Sequence, residues 1–182
     1  DFTYDKRLLD RLHEGSAASV RAHLMADASY QHRLARFLEN HDEARSRVAF
    51  GHRTTAAATT LMTLPGMRFL FEGQIDGATR FAPVQLGRWC DEPADPATRR
   101  LYDGLLEVTR DSLYHEGEWR LLEVEPAGDD SFQRLVAWRW RRHDDYAMVV
   151  VNPTDAAAHG HIRLETLPVH GDHTFEDRLT GE

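Results

Sequence analysis

Asn40-His41-Asp42-Glu43 places an amide, an imidazole and two carboxylates in a row, directly after the apolar run Leu34–Leu38. Glu39 sits at the end of that run, and a further carboxylate, Glu72, follows a second apolar run, Met67–Phe71. A buried strand that ends in hydrogen-bond acceptors and an imidazole is where an α/β fold presents chemistry, because its loops carry function on a rigid scaffold. The same residues suit a purely local role. Asn and Asp hydrogen-bond their own backbone in turns and cap the helices that follow. The tetrapeptide alone leaves both readings open, so the elements that would position it come next.

Leu8, Leu9 and Leu12 recur at helical spacing between Tyr4 and Glu14, with Gly15 as a stop. Ser16 suits the cap of a second helix running to about Ala26, with Val20, Leu24 and Met25 on its inner face. Leu34–Leu38 reads as a strand, Thr54–Thr63 as a helix of small residues closed by Pro65-Gly66, and Met67–Phe71 as another strand. This strand, helix, strand order suits crossover connections and a parallel sheet. Residues 73–95 form a long, proline-punctuated connection of the kind that carries function. Pro96–Asp111 reads as a helix with Leu101, Leu105, Leu106 and Val108 inward and Pro96 in its first turn.

Beyond residue 114 the texture changes to short alternating runs, Glu118–Glu125, Gln133–Arg141, Tyr146–Asn152, Gly160–Leu167 and His173–Arg178, broken by turn-forming clusters. That pattern predicts an antiparallel β unit. Trp138 and Trp140 share one face of their strand, with Ala137 and Arg139 on the other, and the tryptophan pair is expected in the core.

Composition narrows the function classes. A net charge of −8 argues against nucleic acid as a partner, since neutralising phosphates takes clustered Lys and Arg, and Lys6 is the only lysine. No run of apolar residues is long enough to span a membrane. Cys90 is the single cysteine, so an intrachain disulfide is impossible; a cytoplasmic location is expected, and a disulfide-free secreted protein fits almost as well. The 11 histidines show no zinc-binding spacing, and pairs such as His159 with His161, or His170 with His173, read as surface or hairpin residues. Neither a metal nor a cofactor is called for. The chain opens at Asp1 with no initiator Met, signal peptide or transit segment, as though entered within a domain.

With these pieces in order, the sequence resembles the C-terminal half of the α-amylase family of glycoside hydrolases. Phe37-Leu38-Glu39-Asn40-His41-Asp42 is similar to that family's last conserved segment, at the end of the seventh barrel strand. Phe2-Thr3-Tyr4-Asp5-Lys6 resembles the lead from the sixth strand into its helix, and residues 64–74 resemble the eighth strand and its loop. The resemblance implies an α/β fold: the C-terminal portion of a (β/α)8 TIM barrel over residues 1–114, followed by an antiparallel, sandwich-like β domain over residues 115–182. It also implies that the family's nucleophilic Asp and general-acid Glu, on the fourth and fifth strands, lie upstream of Asp1.

In that frame Asp42 matches the family's third carboxylate and would hydrogen-bond sugar hydroxyls beside the reacting carbon. His41 would donate to a neighbouring hydroxyl. Glu43 would reach an adjacent sugar or pair with Arg45 or Arg47, the pair being favoured, while Glu39 would anchor the loop. Glu72 stands as either a substrate contact or a loop cap. The implied activity is that of a retaining glycosidase or transglycosylase on α-glucosidic linkages, with an α-glucan or oligosaccharide as partner. The chain alone is expected to be inactive because two of its three carboxylates are missing. The competing reading is a non-catalytic carbohydrate- or protein-binding module derived from that fold.

Overall fold

The computed structural model describes residues 1–81, 83, 85, 91–164 and 174–179. In chain order, β1 (Thr3–Tyr4) leads into α1 (Lys6–Glu14), and α2 (Ala17–Leu24) and the single turn α3 (Ala28–Gln31) precede β2 (Leu34–Arg36). α4 (Ser46–Phe50) runs through a 3₁₀ turn into α5 (Thr54–Thr63), followed by β3 (Met67–Arg68), α6 (Pro96–Val108) and α7 (Leu113–Glu116). The remainder is β4 (Glu118–Leu122), β5 (Val124–Glu125), a 3₁₀ turn at Asp130–Arg134, β6 (Val136–Arg142), β7 (Asp145–Val151) and β8 (His161–Ile162).

β1, β2 and β3 form a parallel sheet in that order, with Thr3 opposite Leu34 and Ala35 opposite Met67. The strands are shorter than the apolar runs that announce them, since Phe37 and Leu38 are buried beyond the end of β2. The turn after α5 is tight. Gly66 has φ +102°, and a Cβ there would stand 2.5 Å from the Leu34 carbonyl oxygen, so only glycine fits.

The starts of α1, α2 and α6 follow the capping rule. Asp5 accepts from the Leu8 amide at 3.1 Å, Ser16 from Ser19 at 3.2 Å, and Asp95 from Thr98 at 3.0 Å with Pro96 in the first turn. Three expectations need correction. Tyr4 belongs to β1 rather than to the first helix; α2 ends at Leu24, leaving Met25 76% exposed; and in α6 Tyr102, fully buried, takes the inward place expected of Leu101 and Leu106. A thirteen-residue helix inclines its buried stripe, and positions 98, 102, 105 and 108 follow it.

The second half is antiparallel, with β4 and β7 flanking β6 and a separate two-stranded β5–β8 pair. The expected Glu118–Glu125 strand is split at Glu123, and Gln133 and Arg134 belong to a 3₁₀ turn. Among the described residues of the expected last two strands, His161–Ile162 forms a strand and residues 174–178 carry none; residues 165–173, with Cys90, lie outside the described residues.

One buried cluster runs through both halves. It takes Leu8, Leu9 and Leu12 from α1, Val20 and Leu24 from α2, Leu61 and Met62 from α5 and Tyr102 and Leu105 from α6, and continues into Trp138, Trp140, Val149 and Val151. Each fully buried aliphatic side chain of this kind contributes about 1.5–3 kcal/mol. Trp138 and Trp140 are buried as expected, and the Trp140 indole N–H donates to the Thr63 carbonyl at the end of α5, 2.7 Å away. Arg53 adds a polar tie: its guanidinium donates to the Leu12 and His13 carbonyls and to Pro153 beyond β7, at 2.9, 3.2 and 3.2 Å.

Beneath the parallel sheet lies a buried polar network. Asp5 meets His23 Nε2 at 2.9–3.0 Å and Arg36 Nη1 at 3.6 Å. Arg36 also donates to the Pro65 carbonyl at 2.7 Å and to Gln31, whose amide in turn donates to the His23 carbonyl at 2.9 Å. Burial lowers the Arg36 pKa to about 10, against the opposing charge of Asp5.

Candidate functional site

Parallel strands end on one side of a sheet, so the turns after β1, β2 and β3 meet there. The turn after β2 is fixed from beneath by Glu39, which is fully buried. Its two oxygens accept from Arg45 Nη1 at 2.6 Å and from the Ser46 amide at 2.5 Å. Glu39 therefore anchors the loop, as expected.

Arg45 carries that anchor to the neighbouring loop. Its guanidinium also donates to the Glu72 carbonyl at 2.8 Å and the Arg80 carbonyl at 3.0 Å, and lies 5.2 Å from the centre of the Phe71 ring. A planar fork of donors suits such multiple capture. The loop after β3 is closed by Gln74, which accepts from the Phe71 amide at 3.2 Å and donates to the Tyr102 hydroxyl at 2.7 Å. Burial pushes that hydroxyl up to about 12. Glu72 itself is exposed, and its backbone rather than its carboxylate holds the loop.

Within the turn the two readings divide between residues. Asn40 is buried, and its Oδ1 accepts from the Asp42 and Glu43 amides at 2.8 and 3.1 Å, which is the local, turn-making role. His41 and Asp42 have no such task. Their side chains are 46% and 76% exposed and meet one another, Nε2 to Oδ2, at 3.2 Å.

Glu43 departs from its expected pairing with Arg45 or Arg47. It binds Lys6 Nζ at 2.8 Å, the same ammonium that holds Asp10 at 2.8 Å. Arg45 turns inward to Glu39, and Arg47 reaches Asp95 at 3.1 Å. Lys6 follows the end of β1, so the Glu43 pair ties the first strand's turn to the second's. Lys6 was legible only as the sole lysine, and Arg45 only as an expected partner of Glu43, not of Glu39.

Beside these turns the sheet carries a cluster of three rings. Tyr4 lies 5.2 Å from Phe37 and 5.9 Å from Phe69, and Phe37 lies 6.5 Å from Phe69, centre to centre. Among the described residues no group of three or more His, Cys, Asp and Glu side chains is placed to hold a metal ion. No helix among them is long and apolar enough to cross a membrane.

No protein-family model matches the sequence, and no curated protein matches it. Solved structures do resemble it. A noncanonic maltogenic α-amylase from Thermotoga neapolitana superposes with a TM-score of 0.63 at 21% identity, over 84% of this chain and 38% of that one. An α-amylase from Lactobacillus plantarum gives 0.59 at 20% identity, over 83% and 37%. A debranching enzyme from Nostoc punctiforme gives 0.60 at 17% identity, over 84% and 31%. The chain spans about a third of the length of each, and it has the fold of that portion of an α-amylase family enzyme.

Proposed function

We propose that the chain is the C-terminal part of a retaining enzyme of the α-amylase type, acting on α-glucosidic linkages in an α-glucan or oligosaccharide. Residues 1–114 supply the last barrel units and residues 115–182 the β domain. The observation that carries this reading is the exposed His41–Asp42 pair, held at the ends of parallel strands by a turn whose own hydrogen bonds are met by Glu39 and Asn40. Solved neighbours include a cyclic maltosyl-maltose hydrolase in complex with maltose and a debranching enzyme soaked with acarbose, which supports a glucan as the substrate class.

Retaining hydrolysis passes through a glycosyl-enzyme intermediate. It needs a nucleophilic carboxylate and an acid/base carboxyl about 5 Å apart, which preceding strands would contribute. In this reading Asp42 accepts hydrogen bonds from sugar hydroxyls next to the reacting carbon. Such bonds strengthen as the ring flattens toward the oxocarbenium ion, and an ionised acceptor makes the stronger kind. His41 donates to an adjacent hydroxyl. Glu43, held by Lys6, borders an adjacent sugar.

The test is steady-state kinetics on maltooligosaccharides in the chain extended by the preceding barrel strands. Asp42→Asn keeps the shape, removes the charge and offers a donor where an acceptor is needed. It should cost about 3 kcal/mol or more in the transition state, a hundredfold or greater in kcat, with little change in KM. His41→Ala should cost about 0.5–1.5 kcal/mol. Wild-type turnover in Asp42→Asn overturns the assignment, and saccharide binding without turnover in the extended chain favours a non-catalytic module.

A further inference from the structure

A cation ties the turn that carries His41 and Asp42 to the element on either side of it, and the two ties differ in kind. Toward β3, Arg45 is buried and grips backbone, the carbonyls of Glu72 and Arg80. Toward β1, the Asp5 amide donates to the Ala35 carbonyl at 2.9 Å at the end of the strand pairing. Past that point Lys6 Nζ meets Glu43 Oε1 and Asp10 Oδ1, each at 2.8 Å. This second tie stands in solvent, with the Lys6 side chain 48% and that of Glu43 21% exposed.

Helix α1 itself does not ask for a lysine there. Lys6 is its first residue, where the helix dipole favours an acid, and a lysine four residues before an acid is the weaker order for such a pair. Every other of the chain's 22 Lys and Arg residues is arginine. An exposed ion pair of this kind also adds little to stability. Its effect falls on Glu43. Asn40 fixes the backbone of that residue by accepting from its amide at 3.1 Å, whereas among the described residues the Lys6 ammonium is what holds its carboxylate. Without that charge, Glu43 would be left to the repulsion of Asp42 beside it and of Asp10. Hydrogen bonds to Asp10 and to Glu43 hold the Lys6 pKa above the ordinary lysine value, so the ammonium is charged at neutral pH.

On the substrate reading given for Asp42 and Glu43, on which this assignment rests, we propose that Lys6 is a positioning residue: it holds the Glu43 carboxylate beside Asp42 and so sets the affinity for the sugar adjacent to the one that Asp42 grips. Lys6 acts through Glu43 and does not touch the reacting ring. It therefore governs binding common to the ground and transition states rather than turnover.

Two measurements test it. Because Lys6 is the only lysine, lysine-selective ¹³C labelling of the chain as it stands gives a single ε-methylene signal, which should move in Glu43→Gln. A signal indifferent to that substitution overturns the pairing. The second measurement is steady-state kinetics on maltopentaose in the chain extended by the preceding barrel strands, with Asp42→Asn alongside. Lys6→Met removes the charge and keeps the reach of the side chain. Its KM should rise about three- to tenfold, with kcat within about twofold and the melting temperature within about 2 °C of wild type. Glu43→Gln should do the same, the double variant should be no worse than either alone, and Lys6→Arg should return KM toward wild type. Wild-type KM in Lys6→Met, or a loss that adds in full to that of Glu43→Gln, overturns the role of Lys6, and an inactive Asp42→Asn in the same series leaves the reading at Asp42 standing. Wild-type turnover in Asp42→Asn overturns both.

Discussion

Arg45 donates to the Glu39 carboxylate at 2.6 Å with both side chains out of solvent, and the same guanidinium reaches the carbonyl of Glu72. This pair welds the turn after β2 to the loop after β3. Removing one partner leaves a buried charge uncompensated, so Arg45→Ala should destabilise the chain by about 3–5 kcal/mol. Urea unfolding measures it. A loss below about 1 kcal/mol would show that the pair does not hold the loops.

Asn40 and its neighbours should separate cleanly in stability. Asn40→Ala strips the acceptor from two backbone amides and should cost about 1–2 kcal/mol, whereas Asp42→Ala and His41→Ala, at exposed positions, should stay within about 0.5 kcal/mol of wild type. Thermal melts of the three variants suffice. A large loss in Asp42→Ala would assign Asp42 to the scaffold.

The buried Asp5 sets the acid limb of stability. Burial alone would raise its pKa, but the hydrogen bond to His23 and the charge of Arg36 outweigh that and hold it below the ordinary 3.8. With the folded value depressed, the stabilisation is fully present above the unfolded carboxylate pKa and is lost as pH falls through the folded value. Urea midpoints should therefore fall as pH drops below about 4, and Asp5→Asn should flatten that limb while lowering stability at neutral pH. An unchanged slope in Asp5→Asn would place the acid sensitivity elsewhere.

A continuous core implies a single transition. Near-ultraviolet circular dichroism, which reports Trp138 and Trp140, should lose signal at the same urea concentration as the far-ultraviolet helix signal. Trp140→Phe removes the donor to Thr63 and should cost about 1–3 kcal/mol on both probes together. Two separated transitions would divide the chain into independent units.

On the role proposed for Asp42, the purified chain alone should not turn over maltooligosaccharides, because orienting a sugar forms no covalent intermediate without the carboxylates that preceding strands would contribute. Reducing-sugar release that Asp42→Ala abolishes would refute this.

Where pattern and burial coincide, the sequence was readable. The leucines of α1, the Ser16 cap and the outward turn of Arg139 from Trp138 and Trp140 follow from periodicity and capping chemistry. Glu39 was legible as an anchor because a carboxylate at a strand end needs a donor. The partner of Glu43 was not legible, since Lys6 lies 37 residues away in sequence and only the parallel pairing of β1 with β2 brings it near. Short elements also escaped. α4 spans five residues and has no side-chain cap, and α3 is a single turn, so neither offers a full period to recognise.

The reach of Arg53 to the carbonyls of Leu12, His13 and Pro153, with Trp140 on Thr63, constrains how such chains recombine. A crossover anywhere between residues 63 and 140 parts the Trp140 indole from its native carbonyl, and one between 53 and 153 does the same to Arg53. Chimeras that exchange the β unit for a relative's will keep both ties only when the donor supplies an indole at the position of Trp140 and carries its backbone past Arg53 along the same path as at Pro153, so the two halves travel as a matched pair.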